Sequence, residues 1–209
     1  IRQLVFYLKY FIILREFLKE SSNEIPGYLD EIIFHLGKGY NFVWGSVKQS
    51  LLFNGNHNSN LEDFDVYLDY QKYSFKSEKR DLGGYGILKN KNVILGMDIG
   101  TAPERKFSEN YQSGPLSFEA IYRGTKIICN SGYYQNIKNK LNLISRSTAA
   151  HSTLILNNNS IVTFKRNFKG KIYNKLNFNI FWDICVVFIF RGCNFDYISI
   201  ILCFSHRLF

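Results

Sequence analysis

Two stretches of the sequence decide the fold: residues 114–134, GPLSFEAIYRGTKIICNSGYY, and residues 146–156, RSTAAHSTLIL. In the first stretch, two apolar runs flank the pair Arg123-Gly124. A glycine-containing pair between two β-like runs is typical of a tight turn that joins antiparallel strands. The sequence therefore predicts a β-hairpin formed by residues 116–122 and 125–130.

More short β-like runs lie on both sides of this hairpin. Strong turn formers separate them, including Asn54-Gly55 and Gly83-Gly84. The middle of the chain is therefore predicted to be an antiparallel sheet, and the fold class to be mainly β. The additional predicted strands are residues 50–53, 64–70, 85–89, 93–99, 152–156 and 161–165.

Two helices are predicted before the sheet. Apolar residues recur at helical spacing over residues 4–18, which predicts a mostly buried helix. Pro26 in a first turn, with Gly37 and Gly39 at the end, indicates a second helix that stops before residue 41. We assign residues 1–45 to a helical segment and residues 46–170 to the sheet domain.

Residues 171–209 are predicted to be an atypical tail. Its apolar stretches show neither alternation nor a helical stripe, and charged residues divide them into pieces shorter than the roughly 20 residues of a membrane helix. We hypothesise that this end is frame-shifted or truncated. At the other end, Ile1 is not an initiator and no secretory signal is readable, so we expect a fragment of a longer protein.

The chain is basic, with a formal net charge of +9. This favours an acidic partner, namely nucleic acid, an anionic membrane or a polyanionic sugar, although a lysine-rich solvated surface gives the same balance. The sequence contains no dense basic tract and no zinc-finger spacing, which argues against nucleic acid. The four cysteines form no CxxC pair and leave the redox compartment open.

Three blocks carry a family resemblance: LSFE at residues 116–119, IICNSG at 127–132 and RSTAAHSTL at 146–154. In order and spacing they resemble the C-terminal signature of heparinase II/III-type polysaccharide lyases. Upstream, LFNG at residues 52–55 and DIGTAP at residues 98–103 look like neighbouring segments of the same family. The resemblance implies an antiparallel β-sandwich that follows an α/α toroid, of which the two predicted helices would be the remainder.

The resemblance also implies a chemistry. Family lyases cleave acidic, uronate-containing polysaccharides such as glycosaminoglycans by β-elimination, which needs a base, an acid and neutralisation of the carboxylate. Several of those residues lie in the family's toroid. A His-x-His-x-Asp stretch, which supplies one catalytic histidine and one metal ligand, would fall at Asn110, Gln112 and Gly114 here. The metal's carboxylate would fall at Asn130, and His151 alone keeps a ligand identity, so we predict no bound metal and no cofactor.

The candidate site residues follow from the same blocks. His151 is the candidate catalytic residue, with a hydrogen-bonded structural role as the alternative. Arg146 is a candidate for binding a carboxylate or sulfate, or else forms an internal salt bridge. Glu119 and the loop tyrosines Tyr133 and Tyr134 complete the candidate substrate-binding set, although a strand interior also suits a structural role for Glu119. The remaining histidines are interpreted as a solvated turn residue, a helix-end residue and part of the tail: His57, His35 and His206.

Two functions are consistent with these observations. The first is a carbon-oxygen lyase that acts on an acidic polysaccharide at the bacterial cell envelope or periplasm, as the resemblance implies, with an isolated chain that is incomplete. The second is a catalytically inactive carbohydrate-binding or structural remnant of that family. A third, a basic protein of the membrane surface, rests on the tail alone. The sequence leaves the polymer and the oligomeric state open.

Overall fold

A computed structural model describes residues 2–45, 47–76, 80–104, 108, 110–155, 159–166 and 172–176 of the chain. Helices come first and antiparallel strands follow, which confirms the predicted mainly β fold class with preceding helices. Within these residues, no helix combines the length and the apolar character needed to cross a bilayer.

The first helix, α1, spans Arg2–Glu20 and packs on α2, which spans Gly27–Tyr40. Among the side chains of α1 that the structure describes, Leu8 and Ile12 alone are fully buried. The prediction of a mostly buried helix is wrong, because α1 carries apolar side chains on all of its faces while the rest of the protein covers one narrow face. The large apolar residues of α1 that remain exposed are Phe6, Tyr7, Tyr10, Ile13, Leu14 and Phe17.

The second helix does not end at its glycines. It runs through Gly37 and Gly39 to Tyr40, which confirms the predicted stop before residue 41, and a π-helical turn follows over Asn41–Gly45. Gly37 serves packing instead, since a Cβ atom there would lie 2.1 Å from Cε1 of Phe75. The lack of a side chain lets that ring lie directly against the helix.

Residues predicted as the strand 64–70 form the helix α3, Glu62–Tyr70. Phe64 and Leu68 are one helical turn apart and are both buried, which is the spacing of a helix face. The acidic first turn suits the positive end of the helix dipole. The Asp65 carboxylate also accepts hydrogen bonds from the Tyr40 hydroxyl at 2.6 Å and from Trp44 Nε1 at 2.9 Å.

The main sheet contains five strands, each antiparallel to the next in chain order. The predicted hairpin is confirmed: Tyr122 pairs with Thr125, and Arg123 and Gly124 have φ angles of 46° and 81°. The predicted strands 85–89 and 93–99 are also confirmed within one residue. The five strands are β1 Asp81–Leu82, β2 Tyr85–Lys89, β3 Val93–Asp98, β4 Phe118–Tyr122 and β5 Thr125–Ile128.

A second pair of strands follows the short helix α4, Lys140–Arg146. The strand β6, Val162–Arg166, confirms the prediction at 161–165 and pairs with β7, Ile172–Leu176. The strand β7 lies at the start of the stretch that we assigned to the tail. From residue 177 onward the tail lies outside the described residues, so the proposed frame shift and the domain limits stay predictions.

The loop that precedes α3 crosses the main sheet. Residues 50–53 form no strand, and neither do residues 152–155. Leu51 and Phe53 instead bury their side chains against Ile87 of β2 and Ile121 of β4. Burial of side chains of this size contributes about 1.5–3 kcal/mol each. This packing fixes the turn that follows, and it brings Asn54 to the end of β3.

Candidate functional site

A cleft of about 410 Å³ opens at the end of β3. It lies between the loop after Phe53, the turn between β1 and β2, and the segment that follows β3. Pockets of roughly 300–1,000 Å³ with a few polar groups are the usual size of small-ligand sites. Its lining residues are Gln3, Asn54, Gly83, Gly84, Tyr85, Asp98, Gly100, Thr101, Pro103, Asn110 and Tyr111.

A hydrogen-bonded group of three side chains forms the polar part of this cleft. Asn54 Nδ2 donates to Asp98 Oδ2 at 2.8 Å and also lies 3.1 Å from the Tyr85 hydroxyl oxygen. The Gly100 backbone N–H donates to Asp98 Oδ1 at 3.3 Å. One amide nitrogen therefore fixes both the carboxyl and the phenol.

Burial changes the acidity of these groups. Removal from water disfavours a charge, and burial raises the pKa of Asp98 to about 6 although Asn54 and Gly100 donate to it. Burial and the nearby Asp98 charge raise the pKa of Tyr85 to about 12, and burial raises the pKa of Tyr111 as well. At neutral pH both phenols hold their protons and are able to donate hydrogen bonds, whereas the pKa of Asp98 is raised above that of a solvated carboxyl.

The positions at which the family resemblance implies a histidine pair do not fit a metal. Gln112 is buried, its Oε1 accepts from the Gly55 N–H at 3.0 Å, and its Nε2 donates to the carbonyls of Gly132 and Ser145 at 2.9 and 2.8 Å. Zinc is held by thiolate, imidazole or carboxylate donors. The side-chain oxygen of Gln112 already accepts the Gly55 N–H. Asn110 lines the cleft as a neutral amide.

Asn130, at the position of the metal's carboxylate, and Gly114, at the aspartate of the implied stretch, do not fit a metal either. Asn130 Oδ1 accepts from the backbone N–H and the hydroxyl of Ser152, at 3.0 and 3.2 Å. Gly114 has no donor side chain, and a Cβ there would lie 2.9 Å from Cγ of His151. No group of three or more His, Cys, Asp or Glu side chains suitable for a metal occurs among the residues that the structure describes.

His151 lies inside the protein. It is 9% exposed, and its Nε2 has no hydrogen-bond partner in the described part of the chain. Burial lowers the pKa of His151 to about 4, opposed in part by the Ser145 backbone. The ring is therefore neutral at physiological pH, and it packs beneath Gly114 rather than lining the cleft. The catalytic assignment of His151 is untested by this placement, but the cleft itself contains other groups.

Arg146 is fully buried at the end of α4. Its Nε donates to the Tyr111 carbonyl at 2.9 Å and its Nη2 to the Ser108 carbonyl at 3.0 Å. The guanidinium also lies 4.3 Å from the centre of the Phe164 ring, in cation–π contact. These contacts hold the segment that carries Tyr111 in the cleft wall, and the role of Arg146 in binding a carboxylate or sulfate stays a prediction.

Glu119 is likewise fully buried, on β4. Its Oε1 accepts from the backbone N–H groups of Leu52 and Asn130 at 3.1 and 3.0 Å, and its Oε2 pairs with Lys126 Nζ at 2.8 Å. Lys126 also donates to the Ser50 carbonyl. These contacts join the crossing loop to the sheet and direct the carboxylate of Glu119 inward, and its part in substrate binding stays a prediction.

The two loop tyrosines differ. Tyr133 is buried and its backbone N–H donates to the Asn56 carbonyl at 3.1 Å, whereas Tyr134 is 40% exposed. Of the pair, Tyr134 alone presents its ring to solvent, and it lines no part of the cleft. We call the inward-facing set of Gln112, Glu119, Asn130, Arg146 and His151 the buried polar cluster.

The remaining histidines lie apart from the cleft. His57 is half-buried in the loop before α3, with its Nδ1 3.5 Å from Gln135 Nε2. His35 is five residues before the end of α2 and lies 3.8 Å from Glu31, so it is not at the helix end as predicted. His206 lies outside the described residues.

Sequence reasoning missed Asn54, Tyr85 and Asp98 as a site. The segments 52–55 and 98–103 were singled out by resemblance, but their side chains were given no role. The available signal was an aspartate at a strand end followed by glycine, and an Asn-Gly turn upstream. Neither feature indicates that residues 52–55 and residues 98–103 are in contact in the folded protein.

Comparison with known proteins agrees with this architecture. Residues 75–175 match the sequence profile of the family described as "Heparinase II/III-like, C-terminal". No curated protein sequence matches the chain significantly.

Two solved structures are similar in fold. The heparan sulfate lyase HepC from Pedobacter heparinus superimposes with a TM-score of 0.59 at 14% identity, over 78% of this chain and 31% of that one. A structure titled heparinase III gives a TM-score of 0.57 at 13% identity, over 78% of this chain and 33% of that one. The chain spans about a third of the length of these proteins.

Proposed function

We propose that the chain is the sheet portion of a polysaccharide lyase, because residues 75–175 match the profile of the heparinase II/III-like C-terminal family. Its substrate is an acidic, uronate-containing polysaccharide, cleaved by β-elimination. In that reaction a base removes the proton beside the uronate carboxyl, the bond to the 4-linked oxygen breaks, and an acid protonates the leaving oxygen. Residues beyond this chain complete the catalytic set, and the cell envelope or periplasm of a bacterium is the proposed location.

The observation that carries this proposal is the polar cleft at the end of β3. Asn54, Tyr85 and Tyr111 line it with neutral amide and phenol groups, which suit the hydroxyls of a sugar. The Tyr85 oxygen accepts from Asn54, so the phenolic proton is available for donation. With a pKa raised to about 12, Tyr85 acts as a donor and not as a base at neutral pH.

The alternative is a carbohydrate-binding chain without catalysis of its own. Two observations favour it for the isolated chain: neutral amides stand at Asn110 and Gln112, and the His151 ring is buried. Because no imidazole lines the described cleft, no histidine base is provided there. This alternative shares the cleft and the ligand class with the lyase proposal and differs only in turnover.

One experiment separates the two. The purified chain is incubated with heparin, heparan sulfate and alginate, with dextran as an uncharged control, while the ultraviolet absorbance of unsaturated uronate is followed and binding is measured by calorimetry. Turnover of an acidic polymer, with none of dextran, supports the lyase proposal for this chain. Saturable binding of an acidic polymer without turnover supports the alternative. Absence of both binding and turnover with every polymer contradicts both.

A further inference from the structure

The Gln112 side chain joins three separated segments of the chain. Its Oε1 accepts from Gly55 N, and its Nε2 donates to the carbonyls of Gly132 and Ser145, at distances from 2.8 to 3.0 Å. The side chain is 1% exposed. All the hydrogen-bonding atoms of one amide side chain are thus satisfied by backbone groups, the arrangement that makes a buried polar side chain a rigid tie.

One of these hydrogen bonds, the one to Gly55, lies next to the cleft. Gly55 follows Asn54, and the backbone N–H of Gln112 lies 3.4 Å from Asn54 Oδ1. The nitrogen of the Asn54 side-chain amide, Nδ2, donates to Asp98 and Tyr85. Gln112 therefore contacts the turn at two points: its side chain binds the backbone N–H of Gly55, and its own backbone N–H lies next to the side-chain oxygen of Asn54.

Asn54 needs such support. Its φ angle is +41°, in the left-handed region, and Gly55 continues with a φ angle of +84°. A turn of this kind has alternative conformations within a few kcal/mol. Hydrogen bonds from outside the turn select one of them.

We propose that Gln112 is a metal-independent positioning residue, whose amide holds the Asn54-Gly55 turn and thereby aims the Asn54 side chain at Asp98 and Tyr85. The proposal does not depend on the identity of the ligand that enters the cleft. It explains why a neutral amide stands where the family resemblance implies one histidine of a catalytic and metal-binding pair: direct hydrogen bonds to Gly55, Gly132 and Ser145 connect the loops.

The metal part of the proposal is tested on the unaltered protein. Metal content is measured by mass spectrometry, and Tm is measured before and after dialysis against a chelator. We expect substoichiometric zinc and an unchanged Tm. Stoichiometric zinc, with a Tm that falls on chelation and recovers on adding zinc, would overturn metal independence.

The positioning part is tested with Gln112→Asn, which keeps the amide but shortens its reach by one methylene. Hydrogen exchange of the Asn54 side-chain amide is measured by NMR and compared with that of Asn56, which lies in the same loop and donates to the Leu51 carbonyl at 2.7 Å. We expect exchange of Asn54 to become about tenfold faster, with Asn56 changed much less. Gln135→Asn, an exposed substitution, is the matched control.

Equal acceleration at Asn54 and Asn56 would show general destabilisation and would overturn the positioning role. If Gln112→Asn does not fold, the unaltered protein gives the answer in a urea series. There the side-chain amides of Gln112 and Asn54 should exchange with the same opening free energy and the same dependence on urea, because one local unfolding event exposes both. Independent opening of the two would contradict the proposal.

Discussion

The cleft at the end of β3 and the buried polar cluster use similar residue types in opposite ways. In the cleft, Asn54, Tyr85 and Asp98 contact one another and leave faces open to a ligand. In the buried polar cluster, Gln112, Glu119 and the other members donate to or accept from other segments, mainly through backbone groups. Polar side chains that are hydrogen-bonded to backbone groups stabilise loops, whereas those that pair with one another in the wall of a cleft remain within reach of a ligand.

The largest expected effect of a single substitution is in the buried polar cluster. Glu119→Ala leaves Lys126 and two backbone N–H groups without their carboxylate, and loss of one member of a buried ion pair costs about 3–5 kcal/mol. The free energy of unfolding is measured by urea titration. Glu24→Ala, at an exposed position, should cost less than about 0.5 kcal/mol. A similarly small cost for Glu119→Ala would remove the distinction between the two regions.

The two regions should also respond to pH with opposite signs. The Asp98 pKa is raised to about 6, so the folded state binds its proton more tightly than the unfolded state, and this contribution to stability falls as the pH rises from 4 to 6. Asp98→Asn removes that dependence and should gain stability relative to the original protein over this range, by up to about 3 kcal/mol. Unfolding in urea at several pH values measures the difference. A difference that stays constant with pH would contradict the burial of Asp98.

His151 should show the reverse. Its pKa is lowered to about 4, so the unfolded state binds the proton more tightly and stability is lost as the pH falls from about 6.5 to 4. His151→Gln should lessen this loss, by about 2–3 kcal/mol at most. The same urea series checks it, and NMR titration of the ring gives the midpoint directly. A ring that titrates near 6.5 would place His151 in solvent.

A smaller effect is expected for close packing around His151. In Gly114→Ala the new Cβ would lie 2.9 Å from His151 Cγ, and overpacking of this kind costs about 1–3 kcal/mol. Thermal unfolding of Gly114→Ala, His151→Ala and the double variant measures the coupling. The double variant should be less destabilised than the sum of the single variants. Strict additivity would show that the two residues are not in contact.

The hairpin at Arg123-Gly124 was predictable because the turn chemistry and the flanking strands are adjacent in sequence. The helix α3 was not, because Phe64 and Leu68 sit in a run whose apolar content also suits a strand. The cleft was harder still, since Asn54, Tyr85 and Asp98 come together only after the loop packs across the sheet. Glu119, Arg146 and His151 are buried away from the cleft. Their burial could not be predicted, because the sequence pattern of short strands and loops carries little information on which polar side chains point inward.

The central claim is that the cleft, and not the buried polar cluster, contacts an acidic polysaccharide. It is tested most directly by the affinity of heparan sulfate for Tyr85→Phe, which removes one hydroxyl and keeps the ring stacked on Phe53. Tyr122→Phe, exposed on β4, is the matched control. We expect Tyr85→Phe to weaken binding about tenfold while Tyr122→Phe leaves it unchanged. Equal affinities for both variants and the original chain would contradict the assignment of the cleft.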